Sequence, residues 1–166
     1  MPNSIRCRNP SPVQIRFADL ADVPQIVAME RQAEFAPHWS VEQYEGLFLP
    51  DAPKRQVLVA AESETVQGFL VALCPCDEWE IESVVVEPSM RRKGLGEALL
   101  RETVSLAVAG GATALVLEAR ESNTPARQLY EKIGFVQEAM RKDYYQGPLE
   151  HALLYRLTLQ SVDKIP

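Results

Sequence analysis

Three stretches of the chain hold side chains able to do chemistry. The first is Val84-Val85-Val86-Glu87-Pro88-Ser89-Met90-Arg91-Arg92-Lys93-Gly94-Leu95-Gly96-Glu97, in which three cations precede two closely spaced glycines. The run Ile81 to Val86 is rich in β-branched residues, and Pro88 cannot donate to a ladder, so a strand ends there. A helix then begins inside the glycine turn. Gly94 and Gly96 lack Cβ atoms, which frees the backbone dihedrals and lets a ligand come close. Uncapped N–H groups, the positive end of a helix dipole, and Arg91, Arg92 and Lys93 together describe either a site for phosphate or a basic turn that simply joins a strand to a helix. No G-x-G-x-x-G follows a strand and no G-x-x-x-x-G-K-[ST] occurs, so a dinucleotide or nucleoside-triphosphate fold has no support.

The second stretch is Leu115-Val116-Leu117-Glu118-Ala119. A carboxylate in so apolar a strand either lines a cleft, where it can take a proton from an ammonium group, or marks the point where the strand reaches water. Glu82, on the strand before the glycine turn, is a second carboxylate of the same kind. The third stretch, Pro125 to Phe135, is helical in spacing: Ala126, Leu129 and Ile133 form a buried stripe that Tyr130 borders, and Asn123 reads as the cap. Tyr144 and Tyr145 are expected in an aromatic loop that walls a groove or covers the sheet; His38 and Trp39 stand in a similar helix-breaking segment. Nucleophile schemes based on Ser or Cys find no matching motif. Cys74-Pro75-Cys76 lacks the further ligands that a closed zinc site requires, so no metal is expected.

The elements that must position these residues follow from periodicity. Val13 to Phe17 alternates as a half-buried strand, and Asp22 is placed to cap a helix that carries Pro24 in its first turn and ends near Glu34. Ser40 and Gln43 form a capping box for a short helix from Val41 to Phe48. Gln56–Ala61 and Val66–Leu73 are hairpin strands, followed by the central strand Ile81–Val86, the helix Leu95–Val108 and the strand Thr113–Ala119. The last helix runs from Asn123 to Ile133, with two strands after it, the final one Glu150–Leu159. The order is β-α-α-β-β-β-α-β-α-β-β, an α/β (α+β) domain with about seven strands and about four helices. Residues 1–11 are expected as a loose tail and 12–166 as one domain.

Composition narrows the function classes. The 17 basic and 23 acidic residues leave a net charge of −6, which argues against general nucleic-acid binding. No apolar run is long enough to span a bilayer, and Met1 to Cys7 has no signal-like apolar core, so a cytoplasmic location is expected, without membrane partners.

The R-x-x-G-x-G turn after Val84-Val85-Val86-Glu87-Pro88, the segment Leu117-Glu118-Ala119-Arg120 with Ser122-Asn123, Leu129-Tyr130-Glu131 with Gly134-Phe135, and Arg141-Lys142-Asp143-Tyr144-Tyr145 together resemble the GNAT superfamily of N-acetyltransferases over roughly residues 12 to 160. Within it, the pattern is most similar to the bacterial ribosomal-protein N-terminal alanine acetyltransferases. The resemblance implies a mixed, mostly antiparallel central sheet and acetyl-CoA as co-substrate. It implies that Val84, Val85 and Val86 offer backbone groups to the pantetheine arm and thioester carbonyl. Arg92, Lys93, Gly94, Leu95, Gly96 and Glu97, with Arg91 beside them, would cradle the pyrophosphate. By the same carry-over Glu118 is the proton acceptor, Tyr130 the proton donor and Asn123 a coenzyme contact. Glu82 remains an alternative base, since many members use a glutamate on that strand. Trp39, Glu82, Tyr144 and Tyr145 are the candidates for contact with the acceptor, expected to be a protein N-terminus or a small amine. His38 beside Trp39 and the Gly147-Pro148 pair depart from the resembling enzymes where the acceptor is chosen. A coenzyme-binding module without turnover is the reading from a different class, and the protein is expected as a monomer or homodimer.

Overall fold

The computed structural model describes residues 12–159, so the tail expected over 1–11 lies outside the described residues. The elements are β1 (Gln14–Phe17), α1 (Val23–Gln32), α2 (Val41–Gly46), β2 (Arg55–Glu62), β3 (Thr65–Leu73), β4 (Glu78–Val86), α3 (Leu95–Ala109), β5 (Ala114–Arg120), α4 (Thr124–Ile133), β6 (Val136–Gln146) and β7 (Leu149–Thr158). They build a seven-stranded sheet in the order β1-β2-β3-β4-β5-β7-β6. Only β4 and β5 run parallel. The mixed, mostly antiparallel sheet with four helices is the expected fold.

Each face of the sheet is closed by two helices. On one, Leu99 and Leu100 of α3 pack against Leu58, Leu70, Trp79 and Leu115. On the other, Ile26 of α1 and Tyr44 of α2 cover Val59, Phe69 and Val71. Side chains of this kind, fully buried, each stabilise by about 1.5–3 kcal/mol, so β2 and β3, buried on both faces, anchor the fold.

Two local features differ from the sequence expectation, each for an identifiable reason. Asp22 does precede α1, but its carboxylate does not cap that helix. It accepts two hydrogen bonds from Arg16, at 2.7 and 2.8 Å, and one from the Asp19 N–H at 2.9 Å. An ion pair with a half-exposed guanidinium outcompetes a helix N–H that water can reach. Tyr144 and Tyr145, expected in a loop, lie inside β6, whose ladder with β7 resumes at Tyr145↔Glu150 after an irregularity; the turn itself is Gly147-Pro148.

The central strand contains the irregularity that shapes the site. Val71 pairs with Ser83 and Ala72 with Ile81, so Glu82 is an extra residue in β4. This bulge resets the two-residue alternation. Trp79 and Ile81 therefore face the α3 cluster, whereas Val85, like its ladder partner Phe69, joins the α1 cluster.

Candidate active site

Pairing between β4 and β5 runs from Glu78↔Ala114 to Ile81↔Leu117 and stops. Beyond it the strands separate, since β4 remains on β3 while β5 follows β7 through Glu118, Ala119 and Arg120. The resulting cleft is lined by Glu82, Ser83 and Val84 from β4, Glu118 and Arg120 from β5, Asn123 and Tyr130 at α4, Tyr145 from β6, and the segment Phe35–Pro37. Parting the strands frees backbone groups. The Glu87 N–H donates to Gln67 O at 2.9 Å, so by the alternation of an antiparallel ladder the N–H groups of Val84 and Val86 turn away from β3, toward the side β5 has left.

The glycine turn stands at the end of that open edge. Gly94 is the N-cap of α3 with φ +83°, a left-handed conformation that only glycine adopts at little cost, and no side chain caps the helix. The first backbone bond of the helix is Ala98 N–H to Gly94 O, at 2.9 Å. The N–H groups of Leu95, Gly96 and Glu97 are thus the orphan donors that an anion would satisfy, at the positive end of a 15-residue helix. Gly96 has a packing reason of its own: a Cβ there would stand 3.1 Å from Leu129 Cδ2 of α4. Arg91 Nε donates to Val86 O at 3.3 Å, and Arg92 and Lys93 are exposed beside the turn. The Glu97 carboxylate is engaged by Arg101 and Lys132, at 2.9 and 2.5 Å, so what this residue presents at the turn is its N–H.

The carboxylates form a group. Both oxygens of Glu82 accept from Arg55, at 2.6 and 2.9 Å, and the Arg55 guanidinium also lies 5.8 Å from the Trp39 ring. Glu118 meets Arg141 through Oε1 at 2.7 Å. Glu80 has its pKa raised by partial burial and by the carboxylates of Glu82 and Glu118, against Arg141 and Arg55. Glu80 and Arg55 were not singled out in the sequence. Their signal was Glu78-Trp79-Glu80-Ile81-Glu82, where a period of two sets three carboxylates on one face; Arg55 carried none, because it reaches Glu82 only across β3.

On the other wall, Tyr130 is 8% exposed and its hydroxyl makes no hydrogen bond among the described residues. Burial, then Tyr145 and Tyr155, push its pKa up to about 12. Asn123 caps α4, accepting from the Ala126 N–H at 3.4 Å, and lines the cleft as well. Tyr145 holds its place under the Arg120 guanidinium, 3.9 Å from the ring centroid. The cleft therefore gathers Glu82, Val84, Glu118, Asn123, Tyr130 and Tyr145. Tyr144 is 49% exposed and packs edge-on against Tyr145, while Trp39 packs on Tyr44 and stands outside the cleft lining, linked to it by the Arg55 guanidinium that holds Glu82.

A wider hollow opens at the opposite end of β4, between Lys54, Cys76, Trp79 and Gly110. Cys74 beside it donates to Ala72 O at 3.3 Å, and burial pushes its thiol up to about 11. Among the described residues no group of three or more His, Cys, Asp or Glu is placed to hold a metal, and no helix is long and apolar enough to cross a membrane.

Comparison with known proteins gives a consistent picture. The sequence profile of the acetyltransferase (GNAT) family matches residues 21–135. The [ribosomal protein bS18]-alanine N-acetyltransferase of Escherichia coli K12 is 30% identical over 132 residues, covering 79% of this chain and 86% of that protein. Its counterpart in Haemophilus ducreyi is 30% identical over 142 residues, covering 83% and 94%. The crystal structure of the E. coli enzyme superposes with a TM-score of 0.81 at 25% identity, over 93% of this chain and 98% of that one. The Salmonella typhimurium yncA structure, solved with its cofactor acetyl-CoA, has the same fold, with a TM-score of 0.78 at 22% identity over 90% and 95% of the two chains. By profile, identity and fold together, this chain belongs to the GNAT family of acetyltransferases.

Proposed function

We propose that the chain transfers the acetyl group of acetyl-CoA to the N-terminal α-amine of a protein, by direct attack within a ternary complex. The observation that carries this reading is the splay after Ile81 and Leu117, which sets free strand N–H groups, a carboxylate and a buried tyrosine around one cleft. The names of the E. coli and H. ducreyi relatives support a protein N-terminus as the acceptor.

The residues present fit the coenzyme. Leu95, Gly96 and Glu97 would give N–H groups to its diphosphate, with Arg91, Arg92 and Lys93 supplying charge, and Val84 to Val86 would pair with the pantetheine arm along the open edge. Acetyl-CoA supplies an activated thioester. The N–H groups facing the splay would steady the negative charge that builds on the acetyl oxygen.

Proton traffic falls to two side chains. Glu118 takes the proton of the acceptor ammonium, and the freed amine forms the new C–N bond as the C–S bond breaks. Tyr130, kept protonated by burial, gives its proton to the departing sulfur, and the second proton that the nitrogen sheds as the amide forms restores the phenol. Glu82 is the weaker candidate for base because Arg55 occupies both of its oxygens, whereas Arg141 engages one oxygen of Glu118. The cluster of Glu80, Glu82 and Glu118 favours a cationic acceptor over an anionic one.

The test is thiol release from acetyl-CoA with a panel of Ala-initiated peptides, lysine-containing peptides with blocked N-termini and small amines, followed by mass spectrometry of the products. Acetylation of the α-amine supports the reading. Turnover confined to lysine or to small amines moves the acceptor class, and coenzyme uptake without turnover of any amine sinks it.

A further inference from the structure

Beneath the segment that walls the cleft lies a carboxylate that the reaction does not use. Glu30, near the C-terminal end of α1, is 0% exposed. The Tyr44 hydroxyl donates to its Oε1 at 2.7 Å, while Oε2 is buried with no partner among the described residues. An unpaired buried oxygen on a carboxylate is costly, and an apolar side chain of similar volume would fill the space at less cost. The stability of the fold therefore does not explain the choice of residue.

Its neighbours suggest what does. Tyr44 is itself 0% exposed and stands against the Trp39 ring at 5.4 Å and Phe69 at 6.1 Å. Burial raises the Glu30 pKa, whereas Tyr44, the backbone amide of Trp39 and the nearby His38 act to keep it charged. Those last two belong to the stretch between α1 and α2, whose ends are fixed by the Ala33 N–H on Glu30 O at 3.0 Å and by the Ser40–Gln43 capping box. Between these ends, Phe35, Ala36 and Pro37 line the cleft opposite Glu118 and Tyr130.

We propose that Glu30 is a positioning residue for the acceptor: together with Tyr44 it pins Trp39 from below and so sets where Phe35, Ala36 and Pro37 stand along the cleft. This rests on the reading that an amine acceptor enters along that wall. Glu30 touches neither coenzyme nor reacting atoms, so its effect falls on acceptor binding and leaves acetyl-CoA binding alone.

Glu30→Met, Tyr44→Phe and the double variant test this, with steady-state thiol release using whichever amine of the panel the wild type turns over fastest. Thermal midpoints and hydrogen exchange through residues 33–40 are read on the same proteins. The acceptor KM is expected to rise about fivefold in each single variant, the loss that one hydrogen bond entails, with the KM for acetyl-CoA unchanged and exchange through 33–40 faster. Each single variant leaves one member of the Glu30–Tyr44 pair without the other and the double removes both, so the thermal midpoint recovers in the double while the acceptor KM stays raised. A KM that recovers along with the midpoint would make the pair merely structural and overturn the proposal. So would a wild-type acceptor KM in folded single variants. A wild type that turns over no amine would overturn the acetyl-transfer reading and this inference with it; an active wild type with unmoved variants overturns this inference alone.

Discussion

Arg141 of β6 reaches Glu118 of β5 at 2.7 Å although β7 lies between their strands. The contact spans the sheet through Oε1, and among the described residues Glu118 Oε2 accepts no hydrogen bond. Glu118→Gln keeps the shape and removes the base, so kcat is expected to fall by about 10²-fold or more while calorimetry finds acetyl-CoA affinity unchanged. Glu82→Gln, which deprives Arg55 of its bidentate partner, is expected to lower the thermal midpoint and leave the larger share of kcat. The reverse pattern would make Glu82 the base.

Tyr130→Phe removes the proposed donor without opening a cavity, and a comparable loss in kcat is expected. Alkaline titration reads the same residue independently. Burial raises the pKa of Tyr130 to about 12, and burial likewise raises those of Tyr44 and Tyr145, so the neutral phenols are favoured in the folded state. Stability from Tyr130 is therefore complete below the ordinary tyrosine value near 10 and is lost as the pH rises from there toward 12. Phenolate absorbance of the wild type should lag that of the unfolded chain, and Tyr130→Phe should remove one late step. A wild-type titration matching free tyrosine would contradict the burial of this hydroxyl.

Gly94→Ala asks a side chain to adopt φ +83° where nothing else crowds it. The expected cost is about 1–2 kcal/mol in stability, or a shifted turn, and in either case weaker coenzyme binding by calorimetry. Arg92→Gln should weaken coenzyme binding with little change in thermal midpoint, and the loss should shrink as salt is added. Equal loss at all salt concentrations would remove Arg92 from the phosphate site.

Asp22 provides an acid-side test. Hydrogen bonds from Arg16 hold its carboxyl below the ordinary value of 3.8, against burial, and the Asp19 N–H adds to them. The folded pKa is depressed, so the stabilisation is present above that ordinary value and is lost as the pH falls through the folded one. Asp22→Asn should lower stability at neutral pH by about 1–3 kcal/mol and flatten the acid limb of the melting profile. An unchanged acid limb would show that other carboxylates govern it.

Much of this architecture was legible in the residues. Apolar alternation in β1 and the stripe of α4 gave their elements within a residue or two, because a period of 2 or 3.6 is a property of one segment on its own. The R-x-x-G-x-G turn was legible for the same reason: an uncapped helix start with φ above zero at Gly94 is local chemistry. What no single segment contains is its pairing. The bulge at Glu82 exists because β4 holds one residue more than β3 can match, and the cleft exists because β5 leaves β4 after Leu117 to stay with β7. Asp22 given to Arg16, Glu82 given to Arg55 and the tyrosines drawn into β6 are likewise decided between segments, where long-range contacts compete with local preferences. Sequence by itself determined which elements form and where an uncapped, glycine-bearing helix start would stand; the tertiary structure decided which carboxylates face the cleft, since register and ion pairing are relations between strands far apart in the chain.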